Sequence, residues 1–163
     1  MKNKLFITCA LVVLMVTAGY FYFQGKEAQT IDKRNFEDKA KLCESDAASC
    51  ADLAYMYHSG TGVGKDQQKA FFYNKKACDG GEYKNCSFVA NAYYKGDGVG
   101  YDYAKSLEYS LIACEKGDDA FSCGMCGYFY SMGKGTRKDK EKANFYNQKA
   151  CDMGNKKSCQ YVK

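Results

Sequence analysis

The chain has 163 residues, 46% of them apolar, with 10 Cys, 15 Tyr and neither Pro nor Trp. Its formal charge is +5, and without Lys2 and Lys4 it falls to +3, 22 basic against 19 acidic residues; that balance excludes the clustered positive charge nucleic acid needs. With no Pro, the strongest helix breaker is missing and glycine must punctuate the chain.

Lys2 and Lys4 precede an uncharged run from Leu5 to Phe23, densest in Leu, Val, Ile and Met up to Val16. A basic start, a short apolar core and small residues near Ala18 and Gly19 have the form of a secretory signal, with Val16-Thr17-Ala18 as a small-x-small cleavage site. The other reading is an uncleaved anchor: 19 residues rise roughly 28 Å as a helix, enough to cross a bilayer core. Tyr20–Phe23 would then form an interfacial aromatic belt. Both readings send the rest of the chain across the inner membrane, so the expected location is periplasmic or secreted, or tethered and facing the periplasm. Cys9 is an apolar residue of the signal core, because the apolar run continues past it. Residues 1–23 are therefore expected as leader and 24–30 as linker.

From about residue 31 onward the sequence repeats with a period of 36 to 37 residues, which signals a solenoid. Gly60-Thr-Gly-Val-Gly-Lys-Asp66 aligns with Gly96-Asp-Gly-Val-Gly-Tyr-Asp102 and Gly133-Lys-Gly-Thr-Arg-Lys-Asp139. Before each loop, Leu53, Ala54 and Tyr57 recur as Val89, Ala90 and Tyr93, then Cys126, Gly127 and Tyr130. These fall on one face of a helix, and the small residue in the middle lets a neighbouring helix approach. After each loop, Ala70, Tyr73 and Ala77 mark the face of a second helix. The glycines end the first helix, and Asp66, Asp102 and Asp139 are placed to cap the second. Thr136 and Arg137 replace Val and Gly in the third loop, which leaves it free to take another shape. The expected fold class is all-α: an α/α solenoid over 31–163, with helix–loop–helix units near 46–79, 82–116 and 119–152.

Gly-x-Gly-Val-x-x-Asp, the following Lys-Ala-x-x-Tyr and the Ala-Cys ending resemble the Sel-like repeat, a relative of the tetratricopeptide repeat. With the paired cysteines, the chain is similar to the Helicobacter cysteine-rich protein family. The cysteines after the leader fall two to a turn between successive units. Equivalent positions should have equivalent partners, which gives Cys43–Cys50, Cys78–Cys86, Cys114–Cys123 and Cys151–Cys159. Such bridges require an oxidising compartment. Cys126 stands where Leu53 and Val89 stand and reads as a buried apolar residue with a free thiol; pairing with another chain is the other reading. Cys123 and Cys126 form a Cys-x-x-Cys, but two thiols fall short of a zinc site and no βαβ pattern surrounds them. No metal site and no cofactor are indicated.

The resembled family is described as penicillin-binding, or as candidate β-lactamases. Ser131 and Lys134 match Ser-x-x-Lys and are the sole catalytic candidates; no Ser-Asp-Asn or Lys-Thr-Gly accompanies them. His58 is the only histidine, too few for a metal hydrolase, and reads as an exposed helix-end residue. Aromatic residues on the first helices are the other candidate feature. Tyr57, Tyr93 and Tyr130 read as core, whereas Tyr55, Tyr94 and Phe129 are expected on a recognition surface, where aromatics offer area at little rotamer cost. The resemblance to tetratricopeptide stacks implies that this surface is the concave one. The expected function is a binding scaffold for a protein, a peptide or a peptidoglycan fragment, touching the membrane only through an uncleaved leader; the alternative is the hydrolase that the family implies.

Overall fold

The computed structural model describes residues 35–162. The chain divides into two compact units, Met1–Asp38 and Lys39–Lys163. Of the first unit, residues 35–38 are described and helical; the expected leader and linker lie outside the described residues. The second unit is all-helical, with no strand among the described residues. After a helical turn at 39–42 come α1 (Ala47–Ser59), α2 (Gln67–Asp79), α3 (Asn85–Lys95), α4 (Tyr103–Lys116), α5 (Ala120–Met132), α6 (Lys140–Asp152) and the short α7 (Lys156–Cys159). Each helix packs on the next, so contacts run along the sequence as in a solenoid.

The helix starts follow from the chain's acids. Asp66, Asp102 and Asp139 each accept the amide of the residue three ahead, capping α2, α4 and α6. Asp46 and Asp119 do the same for α1 and α5, a pattern missed in the sequence because the loop glycines do not precede them. The Ser49 hydroxyl and amide both turn to Asp46 and hold its carboxyl below the usual range.

Gly60, Gly96 and Gly133 close the first helices in left-handed conformation, donating to the carbonyls of Met56, Ala92 and Phe129. The third loop keeps the shape of the other two despite Thr136 and Arg137. The reason is that its left-handed positions, Gly133 and Gly135, are both glycine still. The position that Arg137 takes is Gly64 or Gly100 elsewhere; neither has positive φ, and an added Cβ there meets nothing.

The recurring Asp, Lys and Tyr form one clasp per unit. Tyr57 stacks on Tyr73 at 5.6 Å, Tyr93 on Tyr109 at 5.9 Å and Tyr130 on Tyr146 at 5.8 Å. Lys69, Lys105 and Lys142 lie over the first ring of each pair at 5.1, 5.3 and 5.2 Å. Each lysine also approaches the capping aspartate three residues earlier. A stacked pair and an exposed cation–π contact are each worth about 0.5–1 kcal/mol, so the clasp adds to the packing that ties the two helices of a unit together.

Between units the fastening is covalent. Cys78–Cys86, Cys114–Cys123 and Cys151–Cys159 join the last turn of one helix to the helix that follows, and Cys43–Cys50 joins the turn before α1 to its first turn, with Cα atoms 4.9, 4.8, 4.8 and 4.6 Å apart. Small residues set the helix spacing: Ser106 replaces Ala70 and Ala143, and its hydroxyl donates to the Ala90 carbonyl at 2.7 Å. At Gly127 the Asn147 side chain fills the space a methyl would need. Leu53, Val89 and Cys126 share one register and are fully buried. Burial pushes the Cys126 thiol up to about 12, with the Glu115 charge adding to it.

Candidate functional site

On α5, Phe121, Met125, Tyr128 and Met132 follow one another at spacings of three and four, on the face turned away from the buried Cys123, Cys126 and Tyr130. Together with Phe145 on α6 and Tyr161 beyond α7, they line a groove of about 1530 Å³. Phe121, Met132, Phe145 and Tyr161 are all more than half exposed. Pockets for drug-sized ligands run about 300–1,000 Å³, so this groove is of a size for a polypeptide segment. Large apolar side chains grouped in the open mark an interaction surface more than a folding requirement.

The same register continues toward the N-terminus. Phe88 on α3 is the repeat equivalent of Met125, and Tyr55 on α1 is that of Tyr128; both rings are exposed. Tyr94 stands half-buried at the inner edge of the groove. Its ring meets Tyr103 at 5.8 Å and Tyr128 at 6.3 Å. Lys134 lies over Tyr103 at 4.9 Å and over Tyr128 at 5.3 Å. The lysine holds the Tyr128 phenol below its ordinary range, while Tyr94, donating to Tyr128, is pushed above it. The result is an aromatic wall carrying one positive charge.

Of the three aromatics expected on this surface, Tyr55 is exposed, Tyr94 partly so, and Phe129 is not there at all. Phe129 is 0% exposed, packed against Tyr94 at 6.0 Å and Tyr103 at 6.3 Å. Its repeat equivalents Met56 and Ala92 are buried too, so the helical register carried the answer that the residue type obscured. Phe121, Met125, Phe145 and Phe88 were missed; their signal was a second apolar stripe on α5, offset from the core stripe.

The catalytic candidates are engaged elsewhere. Ser131 is exposed, and its hydroxyl donates to the Tyr128 carbonyl at 2.9 Å. Lys134 holds its ammonium over the Tyr103 and Tyr128 rings, and among the described residues no hydrogen bond joins it to Ser131. His58 is exposed at the end of α1, with Nδ1 3.4 Å from Gln67 Oε1. Cys126 is sealed in the core, beyond the reach of another chain. Among the described residues no helix is long and apolar enough to cross a membrane.

The Sel1 repeat profile matches residues 47–82, 86–118 and 120–155. A comparison with curated proteins found no match. Among solved structures the fold is similar to a protective antigen of uropathogenic Escherichia coli with an SLR fold, at TM-score 0.69 and 23% identity over 80% of this chain and 31% of that one. It is also similar to a Sel1 repeat protein from Oxalobacter formigenes, at TM-score 0.67 and 28% identity over 78% of this chain and 52% of that one. Helicobacter pylori cysteine-rich protein B aligns at TM-score 0.58 and 28% identity, over 78% of this chain and 96% of that one. The chain thus spans about a third to a half of the first two relatives and nearly all of the third.

Proposed function

Because the chain belongs to the Sel1 repeat family, we propose that it is an exported, non-catalytic scaffold that binds a protein or peptide along its first-helix face. Stacked repeats present extended surfaces to which many units contribute, and repeats of this family generally mediate contacts between proteins. The observation that carries the reading is an exposed aromatic on the first helix of each unit, Tyr55, Phe88 and Phe121. Aromatic side chains dominate binding hot spots because they bury much area with few rotatable bonds. A peptidoglycan fragment is the other ligand class such a surface suits, since aromatic faces also stack on sugar rings.

Export supports the same reading. Four disulfides belong to an oxidising compartment, and residues 1–23 have the signal's form. N-terminal sequencing of the mature protein decides between cleavage and a retained anchor.

Immobilised oxidised chain, exposed to envelope extract, tests the binding role. Tyr55→Ala with Phe88→Ala should abolish capture that Tyr101→Ala, on a loop, leaves intact. Capture indifferent to both changes would refute the surface. The hydrolase alternative is tested with a chromogenic cephalosporin: equal rates for the wild type, Ser131→Ala and Lys134→Ala remove those side chains from any such activity.

A further inference from the structure

Asn74 on α2 and Asn147 on α6 are repeat equivalents, and so are Asn85 on α3 and Ser158 on α7. Asn74 is fully engaged: its amide donates to the Ala70 carbonyl and accepts from Asn85, both at 2.9 Å. The shorter Ser158 does not repeat that bond. Asn147 is 7% exposed and Ser158 4%, yet among the described residues no hydrogen bond reaches the Asn147 amide or the Ser158 hydroxyl. The Asn147 amide lies against Gly127, in the space a Cβ there would need. Ser110, the second unit's equivalent, also lacks a partner, but its hydroxyl is sealed in the core. Asn147 and Ser158 instead both line the groove of about 1530 Å³. Folds rarely leave buried polar groups unpaired, so two that open on one groove mark a place for a ligand's own donors and acceptors.

We propose that this groove binds an extended, acidic segment of a partner protein, held through a backbone amide on Asn147; the proposal deepens the scaffold reading above and rests on it. An asparagine side chain offers an acceptor beside its donors, which matches the N–H and C=O of a peptide chain. A helix spends those groups within itself, so a segment that answers Asn147 is extended. Side chains of an extended segment alternate between two sides. One side can lie on Phe121 and Met125, the other toward the rim. The acidic character follows from charge: the groove's charged lining is Lys140, Lys156 and Lys157 against the single acid Glu141. Lys140 and Lys156 stand where the first unit has Gln67 and Tyr83, so this rim belongs to the third unit. Rim charges of one sign speed encounter with the opposite sign and exclude partners of their own. Exposed aromatics do not single this unit out, since Tyr55 and Phe88 are exposed as well; the unpartnered polar pair and the lysine rim do.

Labelled nine-residue peptides of alternating Glu and Leu are the probe, read by fluorescence anisotropy against the full oxidised chain. They should bind about tenfold tighter than peptides of alternating Lys and Leu, with the gap closing as salt rises. Lys156→Glu with Lys157→Glu, both exposed, should reverse that preference. N-methylation of all the Leu amides, or of all the Glu amides, removes the donors along one edge of the extended peptide. One of the two sets should weaken binding about tenfold. Asn147→Ala, its fold checked by circular dichroism, should weaken the unmethylated peptide about tenfold and be indifferent to that methylation. The methylation series on the unaltered chain stands whether or not Asn147→Ala folds. No binding of the acidic peptide, equal binding of acidic and basic peptides, methylation without effect, or a methylation loss that persists in Asn147→Ala overturns the proposal. So does an N-acetylglucosamine oligomer that binds tighter than the peptide, because its acetamido groups would then be what Asn147 serves. If the peptides fail while Tyr55→Ala with Phe88→Ala still abolishes envelope capture, the extended segment falls and the scaffold stands; if capture is indifferent to those changes as well, both fall.

Discussion

Phe129 and Tyr55 are both aromatic, both on first helices, and expected to behave in opposite ways when truncated. Phe129 is fully buried among Tyr94, Tyr103 and Tyr128. Losing its ring forfeits about 2 kcal/mol of transfer free energy. A residual cavity approaching about 100 Å³, at about 24 cal/mol per Å³, adds about 2 kcal/mol more. The sum, about 4 kcal/mol, lies within the range usual for Phe→Ala in a packed core. Tyr55 is 66% exposed, and Tyr55→Ala should stay within about 0.5 kcal/mol of the wild type. Urea unfolding of the oxidised protein, followed by circular dichroism, reads the difference. With a slope of about 2 kcal/mol per molar urea, Phe129→Ala moves the midpoint down by about 2 M and Tyr55→Ala barely shifts it. A loss under about 1 kcal/mol at Phe129, or an equal loss at Tyr55, would refute the division between core and surface aromatics.

The Cys126 thiol is pushed up to about 12 by burial, so the folded state holds it neutral while the unfolded chain ionises it above about 9. Its contribution is complete below about pH 9 and is lost as pH rises toward 12; wild type should lose about 1 kcal/mol per pH unit there relative to Cys126→Val, measured by denaturation at each pH. Gly135 has φ 69°, and a Cβ there runs into the Tyr103 backbone, so Gly135→Ala should cost at least about 2 kcal/mol, whereas Gly64→Arg should be neutral within about 0.5 kcal/mol; thermal melts of both separate the two glycine roles. Removing the Cys114–Cys123 bridge, by Cys114→Ala with Cys123→Ala, opens a short loop between two fully buried positions and should cost at least about 2.5 kcal/mol. The Cys151–Cys159 bridge, with Cys159 exposed, should cost less in the same melt, since little packing is lost with it.

What the sequence determined by itself is everything that repeats with the chain. The period, the helix–loop–helix unit, the aspartate caps after each glycine loop and the cysteines in step with the turns are local or nearest-neighbour features. In a solenoid each unit touches mainly the next, so local pattern and tertiary contact coincide. What only the tertiary structure decided is which aromatic faces are covered. The helical period places Phe121 and Phe129 on different faces of α5 but does not say which face a neighbour occupies; α4 covers Phe129, and no helix among the described residues covers Phe121. The charged wall of Lys134, Tyr128, Tyr94 and Tyr103 has the same origin, because it gathers one loop and three helices that no single repeat contains. Burial belongs to the pair of surfaces that meet, and a helix's sequence specifies just one of them.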